Sequence, residues 1–155
     1  MTVTKDIDVP AADLFGFVSN FENNPRWQRG MRSCQWTSSP PHGVGSTYDQ
    51  VARFLGKDIL SSFKVLEHDP GRRVKITSTA GPFPITETRV VAPRGERDAT
   101  VTAIVEGDAS GFFRIAGPVL RLLVERSVRG DYARLKHLLE QESGPSRGKA
   151  PTNTD

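Results

Sequence analysis

The spacing of β-type segments after Cys34 constrains the fold of this chain more than any other sequence feature. Short runs with period-two alternation begin 11 to 15 residues apart from Thr47 onward, and turn signals such as Asp69-Pro70-Gly71 separate them. Intervals this short leave no room for crossover helices, so we expect an antiparallel sheet. The predicted strands cover Thr47–Leu55, Ile59–Glu67, Val74–Ser78, Ile85–Ala92 and Ala99–Glu106, with one more around Cys34 and Trp36 and another over residues 2–8.

Helical periodicity is predicted on both sides of this run of strands. Pro10 opens a short helix, and a turn with a second short helix is predicted over Phe21–Trp27. A much longer amphipathic helix is predicted from Phe112 to about Leu139, with Ser110 as its N-cap and Pro118 kinking or restarting it. Its apolar stripe is predicted to contain Phe113, Leu120, Val124, Leu135 and Leu138. The elements together predict an α+β protein whose long helix lies across the sheet.

The composition indicates one folded domain followed by a tail. A chain of 155 residues of which 36 % are hydrophobic can bury one core of ordinary size. From Glu142 onward the sequence is rich in Ser, Gly and Pro, and Ala150 is its only apolar residue. We therefore predict a domain over residues 1–141 and a disordered tail over residues 142–155.

Cysteine content, hydropathy and charge indicate the cellular location of the protein and the classes of partner that it can bind. A single Cys cannot form an intrachain disulfide, and no apolar run approaches the roughly 20 residues that span a bilayer. The N-terminus lacks the basic end and apolar run of a signal peptide. We therefore expect a soluble cytoplasmic protein with no stable membrane insertion. The net charge of +3 is scattered among acidic residues, which argues against a nucleic-acid partner.

The sequence lacks the motifs of several enzyme classes. His42, His68 and His137 have no metal-ligand spacing. The segment Gly43–Thr47 lacks the Lys-Ser/Thr ending of a phosphate loop, and no dinucleotide fingerprint or nucleophile elbow occurs. Cys34 has no histidine close by in sequence, so we expect it to be a buried apolar residue. We therefore expect neither a metal nor a cofactor.

Five short stretches, in this order and at this spacing, carry a family resemblance: Ile7–Phe15, Asn24–Trp27, Gly43–Tyr48, Glu67–Val74 and Gly130–Lys136. Together they resemble the polyketide cyclase/dehydrase-like branch of the START-like, birch-pollen-allergen-like superfamily (SRPBCC) over residues 2–141. The resemblance implies a helix-grip fold, in which a curved antiparallel sheet of about six or seven strands wraps around a long C-terminal helix. It also implies two short helices after the first strand and a mostly apolar cavity that binds lipids, sterols or polyketides. The family has no universal catalytic motif, and a fold alone does not define a function.

Apolar side chains on several elements are candidates for lining the implied cavity. Aromatic rings and aliphatic side chains that come from different strands and helices suit a shared interior, although some of them will belong to a plain core. These candidates are Trp27, Phe54, Phe63, Phe83, Phe113, Leu120 and Val124.

Asp131 is the first candidate for a polar group in that cavity. It lies one helical turn from Ser127 and Leu135, on the apolar side of the long helix. A carboxylate in that position is costly unless it is hydrogen-bonded or paired. Asp131 is therefore a cavity acid that orients a ligand or acts as a general base, or a member of a structural ion pair with an arginine, or a residue that a rotation of the helix exposes to water.

Glu87 and Arg89 form a second candidate pair on one face of the strand Ile85–Ala92. On the inner face they could hold the polar end of a ligand or supply an acid and a cation, whereas on the outer face they would be a solvated pair of little energetic weight. Alternation does not assign the face, because Thr86, Thr88 and Val90 form an equally plausible inner side.

These features predict binding of a small hydrophobic ligand, lipid-like or polyketide-like, in a central cavity. Cyclase, dehydratase or aromatase activity is an extension of that prediction, and the sequence leaves both catalysis and oligomeric state open. The alternatives are a non-catalytic carrier or sensor of lipids or metabolites and a stress-linked protein-interaction module. Convergent polar groups in the cavity would favour the enzyme, a smooth apolar cavity the carrier, and a filled interior the interaction module.

Overall fold

A computed structural model describes residues 1–107 and 112–144 of the chain, and within the last helix it describes the side chains of Val119 and of the residues from Arg121 onward. Every strand that the sequence predicts is present, with ends that differ by a few residues. The elements are β1 (Thr2–Ile7), α1 (Ala11–Ser19), a 3₁₀ turn (Phe21–Asn23), α2 (Asn24–Trp27), β2 (Met31–Trp36), β3 (Thr47–Phe54), β4 (Lys57–Asp69), β5 (Arg73–Ala80), β6 (Ile85–Pro93), β7 (Ala99–Gly107) and α3 (Phe112–Ser143).

The strands form one antiparallel sheet in the order β1-β7-β6-β5-β4-β3-β2. Strands β2 to β7 follow one another as hairpins, while β1 pairs with the last strand. The register shifts once in β2 and twice in β4, and such irregularities bend and twist a sheet. The fold is the α+β helix-grip fold, a curled sheet with a C-terminal helix and two short helices after β1, as the sequence predicts.

The C-terminal half of α3 packs against β1 through one buried face. Leu135 is fully buried there, as predicted, but the other buried side chains are Tyr132 and Leu139, which the predicted stripe did not include. Leu138, which it did include, is only partly buried. The buried face is therefore rotated about the helix axis relative to the prediction: the helix packs on β1 and α2, and Tyr132 contacts Trp27 of α2.

Two polar contacts attach this half of α3 to the start of the chain. The Lys136 ammonium donates to the carbonyl oxygen of Asp6 at 2.9 Å. The backbone N–H of Asp8 donates to the Glu140 carboxylate at 2.9 Å. These contacts and the apolar face together fix the C-terminal half of the helix on the sheet.

The helix α3 is one continuous element and does not restart at Pro118. It ends at Ser143, two residues beyond the predicted end of the domain at residue 141. The rest of the predicted tail, residues 145–155, and the predicted N-cap Ser110 lie outside the described residues. No helix in the described part of the chain is both long enough and apolar enough to cross a membrane.

Candidate functional site

An open cleft lies between α3, the link from α2 to β2, and the hairpin formed by β3 and β4. Its volume is about 320 Å³, and we call it the apolar cleft. Seven of its lining side chains are apolar and come from all three elements: Met31, Ala52, Phe54, Leu55, Leu123, Val124 and Val128. The polar positions in its wall are Gln28, Arg53, Ser127 and Asp131, together with the backbone of Gly30.

The β3–β4 hairpin presents Leu55 to this cleft through an unusual turn. Leu55 and Gly56 form a two-residue loop, and both have a positive φ, at 49° and 78°. This is the mirror-image type of turn that matches the twist of the paired strands. The left-handed conformation costs a leucine about 1–2 kcal/mol, and its side chain is 74 % exposed. Neither feature favours folding, so the leucine at this tip is a candidate for a binding role.

Leu123 faces the apolar cleft from α3 and is also poorly covered. Its side chain is 55 % exposed, and its neighbours Val119 and Leu122 are 69 % and 65 % exposed. The N-terminal half of α3 thus carries large apolar side chains in contact with solvent. Exposed apolar groups that gather at a cleft are typical of ligand or partner sites.

Asp131 lies in the wall of the apolar cleft as a half-buried acid. Its Oδ1 accepts a hydrogen bond from the backbone N–H of Arg29 at 3.0 Å. Burial raises the pKa of this carboxyl, and the hydrogen bond from Arg29 and the charges of Arg134 and Arg29 oppose the rise. Within the described residues no cationic nitrogen lies at ion-pair distance from it. The structure therefore places Asp131 in a cleft wall without an ion pair among the described residues, half-buried and bonded to the backbone of Arg29.

A second cleft adjoins the first along α3. It has a volume of about 370 Å³, and we call it the arginine cleft because Arg29, Arg126 and Arg134 line it. Leu123, Ser127 and Asp131 are common to both clefts. Asp131 therefore lies where an apolar and a cationic surface meet.

Glu87 and Arg89 lie on the inner face of β6, which settles the ambiguity left by the alternation. Arg89 is 1 % exposed. Its Nε and Nη2 atoms donate to the two carboxylate oxygens of Glu87 at 2.9 and 3.2 Å. Its Nη1 donates to the carbonyl oxygen of Val18 at 2.7 Å and to Oδ1 of Asn24 at 3.2 Å. All three guanidinium nitrogens are thus bonded inside the protein.

Aromatic rings enclose this buried pair. The guanidinium lies 5.1 Å from the ring centre of Phe21 and 5.2 Å from that of Trp27. The Tyr132 hydroxyl donates to Glu87 at 3.4 Å. Burial lowers the pKa of Arg89, but the charge of Glu87 and its hydrogen bonds outweigh this and leave the pKa above its ordinary value. Through its hydrogen bonds the pair connects β6 to α1 and α2.

The predicted cavity residues divide between the apolar cleft and the core. Phe54 and Val124 line the cleft. Trp27 and Phe63 are buried in the core at 0 % and 4 % exposure. Phe83 packs edge-on against Phe54, with ring centres 6.1 Å apart. The two remaining candidates, Phe113 and Leu120, lie outside the side chains that the structure describes.

Several residues of the two clefts were missed by sequence reasoning. Leu55 carried a usable signal, because a leucine is an unexpected residue at a tight turn. The arginines of the second cleft carried a weaker sequence signal, since Arg126 and Arg134 are eight positions apart and so share a helical face. Arg29 gave none, because its contact with α3 depends on the tertiary fold.

The remaining chemistry-bearing side chains form no second site in the described residues. Burial raises the pKa of the Cys34 thiol to about 12, so it stays protonated at neutral pH. His42 stacks on Trp36 with ring centres 4.0 Å apart, and His68 contacts Phe15. Within the described part of the chain no group of His, Cys, Asp or Glu side chains could hold a metal ion.

Comparisons with known proteins agree on the fold. A family model described as polyketide cyclase / dehydrase and lipid transport matches residues 1–140. The aromatase/cyclase Zhui from Streptomyces sp. R1128 superposes with a TM-score of 0.76 at 12 % identity, covering 96 % of this chain and 97 % of that one. A START superfamily protein from Mycobacterium smegmatis gives 0.75 at 18 % identity, and TTHA0849 from Thermus thermophilus gives 0.73 at 18 %, each over 92 % of this chain and 98 % of the other. No curated protein sequence matches the chain.

Proposed function

Since the chain belongs to the polyketide cyclase / dehydrase and lipid transport family, we propose that it binds a small hydrophobic ligand in the apolar cleft. The observation that carries the proposal is the pair Leu55 and Leu123, which face the same cleft from different elements and are both more than half exposed. A ligand that covers them removes apolar surface from water, at about 25 cal/mol for each Å². The cleft volume of about 320 Å³ lies at the lower end of the range for small-molecule sites.

The packing of the interior supports the cleft rather than the deeper sheet as the binding place. Tyr48 stacks on Phe21 and Phe63 with ring centres 4.5 and 5.2 Å apart. Trp27 packs edge-on against Tyr132 at 4.9 Å. Rings in such contact leave no room for a ligand between them, whereas the surface around Leu123 is open.

The apolar cleft is tested with N-phenyl-1-naphthylamine, an uncharged fluorescent probe of apolar sites. Leu123→Asp places a charge in the cleft, and Leu122→Asp is its matched control, because Leu122 is also more than half exposed but lies outside the cleft lining. We expect Leu123→Asp to weaken probe binding by about tenfold or more, which is the effect of about 1.4 kcal/mol, and Leu122→Asp to leave it unchanged. Equal binding by both variants contradicts the proposal, and no binding by the wild-type protein favours an interaction module.

A second candidate function, proton-transfer catalysis, is favoured by the position and pKa of Asp131. Burial raises the pKa of this acid in the wall of the cleft, as is common for general acid–base groups. In a dehydration its carboxylate would take a proton from the carbon next to a ligand carbonyl. The bond between the next carbon and its hydroxyl group would then break. The carboxyl would return its proton to the departing hydroxide, which leaves as water. Without such a step the protein is a carrier or sensor.

Dehydration of 4-hydroxy-4-phenylbutan-2-one, a small β-hydroxy ketone, separates these alternatives. If the protein is a catalyst, it accelerates formation of the conjugated product, and Asp131→Asn lowers the rate by about 10²–10⁴-fold while probe binding is kept. Glu125→Gln is the control, because this acid lies on the same helix outside both cleft linings. A wild-type rate equal to the background, together with probe binding, favours the carrier.

A further inference from the structure

Gly130 leaves a gap at the centre of the arginine cleft, which we call the notch, and helix packing does not explain it. Arg126, Gly130 and Arg134 follow one another on the same face of α3 at four-residue spacing, and all three line the cleft. A glycine inside a helix costs about 1 kcal/mol relative to alanine. A Cβ built on Gly130 would meet no atom within 4 Å, so no close contact requires the glycine. The missing side chain leaves open space between two arginines.

The charges around this notch are unbalanced. Two nearby arginines have acidic partners, since Arg53 pairs with Asp58 and Arg121 with Glu125. Among the described residues no carboxylate lies within ion-pair distance of the side chains of the three cleft arginines.

One carboxylate, that of Asp131, shares the cleft with them, and it is bonded to the backbone N–H of Arg29. Three guanidinium groups therefore face one carboxylate.

We propose that the arginine cleft binds the anionic head, a phosphate or carboxylate, of an amphiphile whose apolar chain lies in the apolar cleft. This inference rests on the proposed function and adds the chemical class of the ligand. Guanidinium groups donate paired hydrogen bonds that match the oxygens of these anions. Because Leu123, Ser127 and Asp131 line both clefts, one molecule can occupy the two together.

The test compares ligands that share an apolar chain and differ in the head. Decyl phosphate, decanoate and 1-decanol compete with N-phenyl-1-naphthylamine at concentrations where all three are monomeric. We expect an anionic head to improve affinity by about tenfold over the alcohol, as charge-assisted hydrogen bonds do. The double variant Arg126→Gln/Arg134→Gln should lose this preference and keep its affinity for decanol.

Two further variants separate the cleft from general charge and from folding. Arg72→Gln/Arg97→Gln removes the same charge from turns at the other end of the sheet, and it should keep the preference. Gly130→Leu fills the notch while replacing a poor helix former by a good one, so it should lose the preference without loss of stability in urea.

A vesicle-binding experiment distinguishes a free amphiphile from a lipid in a bilayer as the source of the head group. Binding of monomeric decyl phosphate or decanoate with the expected preference indicates a free amphiphile. Sedimentation only with phosphatidylcholine vesicles that contain phosphatidic acid, lost in the arginine double variant, indicates a lipid head group in a bilayer.

The inference and the proposed function fail in different ways. Equal affinity for the alcohol and the anions, without vesicle binding, overturns the inference and leaves the proposed function standing. A preference that survives in both the arginine double variant and Gly130→Leu overturns the inference as well. If neither the probe nor any of the three ligands binds, the proposed function fails with it.

Discussion

The protein places arginines in two opposite settings, the buried pair of Arg89 with Glu87 and the open arginine cleft on α3. Arg89 is 1 % exposed and donates from all three of its nitrogens to protein oxygens. The cleft arginines are exposed and have no ion pair among the described residues. A charge with a full set of partners supports the fold, and a charge left for solvent beside exposed leucines is available to a ligand.

The largest expected effect comes from breaking the buried pair. Arg89→Met removes a group that holds β6, α1 and α2 together and leaves the Glu87 carboxylate buried without its partner. We expect the free energy of unfolding to fall by about 3–5 kcal/mol, measured by urea denaturation. Arg126→Met in the open cleft should change it by no more than about 0.5 kcal/mol. If Arg89→Met instead kept stability and lost only probe binding, Arg89 would belong to the binding site.

The two halves of α3 should respond differently to the same truncation. Leu135 is fully buried against the sheet, and Leu123 is 55 % exposed. Leu135→Ala is expected to cost about 2–5 kcal/mol of stability through lost packing and a cavity. Leu123→Ala should cost less than about 0.5 kcal/mol and should weaken binding of N-phenyl-1-naphthylamine. A large loss of stability in Leu123→Ala would mean that this end of the helix is packed rather than open.

The fold could be predicted from the sequence because its signals are local. Turns such as Asp69-Pro70-Gly71 separate the strands, and helical spacing marks α1 and α3. The face that α3 buries was predicted less well, because α3 packs on β1 and α2, which are remote from it in sequence. Which side of an amphipathic helix is covered depends on distant elements.

The candidate site was predictable only in part for the same reason. Asp131 was found because an acid beside an apolar stripe needs an explanation, and Glu87 and Arg89 because they share a strand face. Asp131 lies in an open cleft whereas Arg89 is buried and fully hydrogen-bonded. This contrast depends on partners that are remote in sequence, since Arg89 bonds to Val18 and Asn24, 71 and 65 residues away. Helical spacing could pair Arg126 with Arg134, but only the fold adds the Arg29 side chain to them.

A smaller change in the free energy of unfolding is expected from two tyrosines next to the buried pair of Arg89 and Glu87. The Tyr132 hydroxyl donates to Glu87, and that of Tyr48 is buried with no hydrogen-bond partner in the described residues. Tyr132→Phe should lower the free energy of unfolding by about 1 kcal/mol. Tyr48→Phe should leave it unchanged or raise it by up to about 1 kcal/mol, because no bond is lost and an unpaired hydroxyl is removed. A clear loss in Tyr48→Phe would reveal a partner for its hydroxyl.

The smallest effect concerns Asp131 and has a distinctive pH dependence. Because burial raises the pKa of this carboxyl in the folded protein, its charged form destabilises the fold above that pKa, and the penalty vanishes below the unfolded value of about 3.9. Asp131→Asn keeps an oxygen for the N–H of Arg29 and removes the charge, so its stability relative to wild type should rise between about pH 3 and pH 7, by less than about 1 kcal/mol. Glu96→Gln in the exposed turn between β6 and β7 is the control for charge alone, because Glu96 has no ion pair among the described residues. A variant that becomes less stable than wild type as the pH rises would instead show that the Asp131 carboxylate is held by its arginine neighbours, and the open cleft would then resemble the buried pair.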